Sequence, residues 1–163
     1  MSKEFTKAQD RQDRRIREHI HDPYMTRAKP KEPSVCGECG VVFEKGKWRW
    51  GSVPEGAHEM LCPACQRVRD RVPAGYVFLG GPFFEEHREE IVRRAHNVEE
   101  REKKERPLKR IMGVEEQDDG IVVTTTDIHL ARTIGDALHD AWEGELDYQY
   151  TEETNLLEVT WRR

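Results

Sequence analysis

Apolar residues recur at two spacings along this chain, and the switches between them outline its elements. Phe84, His87, Ile91, Ala95 and Val98 return every three or four residues, which predicts a helix over 83–104. Its other positions are mostly Glu and Arg, set to form ion pairs along an exposed face. A second helical stripe comprises Leu130, Ala131, Ile134, Leu138, Ala141 and Trp142, with Thr126 or Asp127 as its cap and Gly144 at its close. Alternation marks the strands: 108–115, 121–125 across an Asp118-Asp119-Gly120 turn, then Leu146, Tyr148, Tyr150 and Leu157, Val159, Trp161. These give residues 107–163 a ββαββ order, a four-stranded antiparallel sheet with helices on one face. Residues 73–106 hold a short strand at 76–79 and the long charged helix.

The front of the chain is different. Residues 1–34 are polar and interrupted by Pro23, Pro30 and Pro33. A short helix over 11–20 has only Ile16 and Ile20 as its stripe, too little to fold alone. Arg27, Lys29 and Lys31 make the following stretch a flexible basic arm, either solvated or ordered on a partner. In 35–72, Trp48 and Trp50 alternate with Lys47 and Arg49. At period two the rings share one face and the cations the other. That surface suits single-stranded RNA, or the rings fill a small core.

Candidate chemistry is concentrated in the four cysteines. Cys36 and Cys39 form one Cys-x-x-Cys pair, Cys62 and Cys65 a second, with 22 residues between. Four thiolates complete a tetrahedral shell, so the spacing predicts one structural Zn2+ in a four-cysteine zinc ribbon. Disulfides need an oxidising compartment, and a redox pair needs one such motif opening a helix. Iron is the competing ion. Rubredoxin-type sites carry Gly after both pairs, whereas Gln66 follows Cys65, which favours zinc.

Length and charge set further bounds. With 163 residues, 36% hydrophobic and 36% charged, the chain suits two small units better than one large core. Residues 1–72 hold 15 Lys/Arg against 11 Asp/Glu, and residues 73–163 hold 12 against 21. A front of +4 suits nucleic acid; a rear of −9 repels it. Lys45, Lys47, Arg49, Arg67, Arg69 and Arg71 join the arm cations and Trp48 as candidate RNA contacts. With neither a leader-like start nor an apolar membrane span, the expected location is the cytoplasm.

Catalytic signatures are absent from the sequence. It has no Gly-x-x-x-x-Gly-Lys loop or Gly-x-Ser-x-Gly elbow. Its seven histidines are scattered, and four cysteine ligands leave zinc no open position. His19-Ile20-His21-Asp22 reads as a turn beside Pro23, and Thr124-Thr125-Thr126-Asp127 as a strand end with a cap. The expectation is a protein without enzymatic activity.

The order His21-Asp22-Pro23-Tyr24, Cys36-x-x-Cys39-Gly40, Gly46-Lys47-Trp48, Cys62-Pro63-Ala64-Cys65, Arg110-Ile111, Thr124-Thr125-Thr126 and His129-Leu130-Ala131-Arg132 spans nearly the whole chain. It resembles an uncharacterised bacterial family tied to low-oxygen gene clusters. More distantly, it is similar to the 60S ribosomal export adaptor family, although this chain is far shorter and lacks that family's further domains. The resemblance implies contact with the ribosome or ribosomal RNA, and a role in translation under stress or low oxygen. The alternative is a zinc-dependent protein–protein adaptor without RNA contact.

Overall fold

The computed structural model describes Tyr24 and residues 29–163. The expected helix over 11–20, the His19–Asp22 turn and Arg27 lie outside the described residues. Two small sheets and four helices make up the described chain.

The first sheet carries the cysteines. Strands β1 (Ser34–Cys36), β2 (Val42–Glu44), β3 (Lys47–Arg49) and β4 (His58–Met60) lie in the order β3-β2-β1-β4. β2 and β3 form a hairpin whose turn holds Lys45 and Gly46 at positive φ. β4 runs parallel to β1, with Cys36 opposite Met60. That register brings the ends of both strands, and with them both cysteine pairs, to one end of the sheet. Helix α1 (Pro63–Asp70) follows at once, with Cys62 as its N-cap. Pro63 occupies the first helical turn, where a missing N–H costs nothing.

The second sheet corrects the sequence expectation. It has five strands, β5 (Gly75–Gly80), β6 (Ile111–Gln117), β7 (Gly120–Thr125), β8 (Glu145–Thr151) and β9 (Leu156–Arg162), in the order β6-β7-β5-β9-β8. The short strand before the long helix is its centre, antiparallel to β7 and parallel to β9. The sheet is therefore mixed rather than four-stranded antiparallel, and residues 73–106 and 107–163 share it. β6 begins at Ile111, not 108, and carries a bulge between Ile111 and Gly113.

One face of this sheet is packed. Val77, Leu79, Ile121, Val123, Leu157, Val159 and Trp161 point into a single core. Onto them pack Leu130, Ala131, Ile134 and Leu138 of α4 (Ile128–Trp142). Ala137 is buried where Ala141 and Trp142 were expected; Ala141 is exposed and Trp142 half-buried. Asp127 is the cap, accepting from Leu130 N at 2.9 Å. The approach of α4 to β5 is close enough that a Cβ on Gly75 would meet Ala131. The expected continuous helix over 83–104 is two helices, α2 (Pro82–Glu86) and α3 (Arg88–Glu105), broken at His87. Phe84, Ile91, Ala95 and Val98 are buried as their spacing required.

Candidate metal centre

Both cysteine pairs are built so that backbone amides face sulfur. In the first, Gly40 N donates to Cys36 O at 2.9 Å, closing a turn in which Gly40 adopts φ +80°. Glycine adopts that backbone without the Cβ penalty of other residues. In the second, the turn is the first turn of α1, where Cys65 N donates to Cys62 Sγ at 3.4 Å. The pairs are tied together by Cys62 N donating to Cys36 Sγ at 3.3 Å. A helix N-terminus and converging amides both favour sulfur as thiolate.

The four sulfur atoms lie within 4.8 Å of one another. Ligands about 2.3 Å from one tetrahedral ion sit roughly 3.8 Å apart. Cys39 Sγ and Cys62 Sγ are separated by 3.8 Å. The donor set and its size therefore fit one four-coordinate metal ion. Cys36 and Cys62 are fully buried, while Cys39 and Cys65 are partly exposed.

Arg110, from the segment between α3 and β6, closes the exposed side. Its Nη2 donates to Cys39 Sγ at 3.0 Å and its Nη1 to Cys65 Sγ at 3.2 Å. Its Nε donates to Pro107 O at 2.9 Å, and its guanidinium lies 5.6 Å from the centre of the Trp50 ring. Trp50 in turn donates to Lys103 O at 2.8 Å. The Arg110 backbone N donates to Thr126 Oγ1 at 2.9 Å, while Leu108 packs against the cysteines. The second unit thus grips the first at its metal end.

Charge follows from these contacts. Burial raises the Cys36 thiol, but the amides of Cys62, Cys39 and Glu38 outweigh it and draw it down to about 7. Burial pushes the Cys62 thiol well up, and the Cys65 amide and Arg110 offset this only in part. Cys65 is likewise raised by burial against the pull of Arg110. For Arg110, burial opposes the charge, and the hydrogen bonds and charges of the sulfurs prevail, raising its pKa. A divalent cation held by Cys36, Cys39, Cys62 and Cys65 would add the charge that keeps all four as thiolates.

The other sequence candidates separate into two groups. Trp48 is half-buried against the cysteines and stands 5.1 Å from Phe43, so its ring fills core. Arg67 is only 4% exposed, donates to Val72 O at 2.9 Å and lies 4.5 Å over the Tyr24 ring. Arg49 pairs with Glu44 at 3.3 Å and also reaches the carbonyls of Trp50 and Ser52. Arg69 is exposed and pairs with Asp70 at 3.1 Å. Arg71 is exposed at the left-handed C-cap of α1.

Lys29, Lys31, Lys45 and Lys47 are exposed. Gly46 N donates to the Glu32 carboxylate at 2.7 Å, which sets the 29–32 segment against the β2–β3 turn. That contact brings together the two segments that carry the four lysines.

Sequence reasoning did not identify Arg110, Trp50 or Leu108 as parts of the centre. Arg110 is separated from Cys39 by 71 positions, and no local pattern reports that distance. Among the described residues, no helix is long and apolar enough to cross a membrane. No family model, curated protein or solved structure matches the chain.

Proposed function

We propose that this chain is a non-enzymatic RNA-contact module built on one structural zinc, and that its RNA is that of the ribosome. Four cysteines fill a tetrahedral shell, and Arg110 covers its exposed side, so the centre has no position for a substrate. The second cysteine pair continues into α1 instead of turning on a glycine, which favours zinc over iron. The role of the ion is to fix a ribbon whose own core is small.

The observation that carries the RNA reading is the lysine edge. Lys29, Lys31, Lys45 and Lys47 form no ion pair among the described residues, and the Glu32–Gly46 contact holds their two segments together. Unpaired cations on a metal-fixed hairpin bind a phosphate backbone with little ordering. The geometry points to a polyanion; the family resemblance supplies the ribosome as its source.

Sedimentation of the zinc-loaded protein with ribosomes through a sucrose gradient at low salt tests this. Co-migration lost on nuclease treatment supports the reading. Protein that stays at the top with ribosomes intact favours the adaptor alternative, for which the −9 balance of residues 73–163 speaks.

A further inference from the structure

The face of the five-stranded sheet opposite α4 has no described element packed on it, and its composition is specific. Tyr76 and Phe78 project from the central strand β5 onto this face, their rings 6.3 Å apart and 10° from parallel. Both are half-buried, and the Tyr76 hydroxyl has no hydrogen-bond partner among the described residues. Around them the register sets carboxylates: Glu158 opposite Tyr76, Glu115 opposite Val122, and Asp147 opposite Thr160. Glu115, Asp147 and Glu158 have neither an ion pair nor a hydrogen bond among the described residues.

At one end of the face, the β6–β7 turn encloses a cleft of about 240 Å³ between Phe78, Thr160 and Asp118. Arg162 also lines the cleft and is held by Asp119, while Asp118 forms no ion pair among the described residues. The cleft offers an aromatic wall beside the Asp118 carboxylate, the pairing that takes a lysine or arginine stem and its cationic head.

We propose that this open sheet face docks a cationic protein segment, with Tyr76 and Phe78 as its aromatic platform and the surrounding carboxylates as its charge partners. Paired aromatics on an open sheet also stack bases in nucleic-acid complexes. Here the rim is anionic, so phosphate is repelled and a basic polypeptide is attracted. The surface is separate from the lysine edge, so each can fail without the other.

The test is an amide chemical-shift titration of the zinc-loaded full chain with a Lys- and Arg-rich peptide carrying one phenylalanine. Saturable shifts confined to β5, β7, β9 and the β6–β7 turn are expected. The Glu115→Gln, Asp118→Asn, Glu158→Gln variant should bind about tenfold more weakly. Tyr76→Ala with Phe78→Ala should weaken binding similarly; if that variant fails to fold, the carboxamide variant decides alone. The proposal is overturned by absence of binding, by shifts centred on the ribbon, or by unchanged affinity in the carboxamide variant. It is equally overturned if a glutamate-rich peptide or oligouridylate occupies the same face.

Discussion

The guanidinium of Arg110 donates to Cys39 Sγ at 3.0 Å, joining a residue just before β6 to the first cysteine pair. Four thiolates around one divalent ion would carry a net charge of −2, and this arginine would neutralise part of it inside a poorly solvated site. It also bridges two sulfurs from different pairs, so it is bound tightly only when both pairs are in place.

Arg110→Met keeps the stem and removes the donors. Metal affinity should fall by about 10- to 100-fold, the usual consequence of losing a partner of the ligands. Arg110→Lys restores charge but not the fork that reaches two sulfurs, so it should recover only part of the loss. Competition against a chromophoric chelator reads both. Affinity unchanged in Arg110→Met would show that the contact is incidental.

The place of β5 predicts which fragment folds. β5 pairs with β7 on one side and β9 on the other, and it contributes Val77 and Leu79 to the core. A fragment of residues 107–163 loses both pairings, and each missing core side chain costs about 1.5–3 kcal/mol. Residues 73–163 should therefore melt cooperatively, and residues 107–163 should not. Thermal unfolding followed by far-UV dichroism checks both.

Periodicity located most of the elements because α4, β7, β8 and β9 each bury one face of a regular pattern. It could not assemble the sheet. Residues 76–79 were recognisable as a strand, but their parallel partner Leu156–Arg162 lies far along the chain, and nothing local records a crossover. The cysteine site was readable because its ligands come as two local pairs at a spacing set by metal geometry. Its cover was not, since Arg110 and Trp50 owe their roles to how the two units meet. The same limit applies to the cations. Alternation gave Lys47 and Arg49 one face, but only the fold shows that Glu44 engages Arg49, while Lys47 has no ion pair among the described residues.

Metal removal should separate the two units. The cysteine sheet buries few apolar side chains, Cys36, Val41, Val42, Phe43, Cys62 and Ala64, whereas the second core holds twenty buried residues. Zinc supplies about 10 kcal/mol or more to a site of this kind. A chelator should abolish hydrogen-exchange protection over 34–65 and leave β5, β7 and β9 protected. Trp48 and Trp50 emission should shift to longer wavelength while buried Trp161 keeps its own. Loss of protection throughout the second sheet would mean that the metal stabilises both units.

Salt dependence separates the lysine edge from the arginines that the fold uses internally. Each phosphate contact releases a counterion and contributes about 0.7–0.9 to the logarithmic salt slope. Replacing Lys29, Lys31, Lys45 and Lys47 by Ala should therefore flatten the slope for ribosomal RNA by about three units. These side chains are exposed and form no ion pair among the described residues, so the melting temperature should barely move. Arg67→Ala should do the reverse. It removes a buried hydrogen bond to Val72 O and the stacking on Tyr24, so the melting temperature should drop while the slope holds. Filter binding over a salt series, with thermal melts of the same preparations, gives both quantities. A slope carried by Arg67 instead of the lysines would place the contact on α1 and refute the edge.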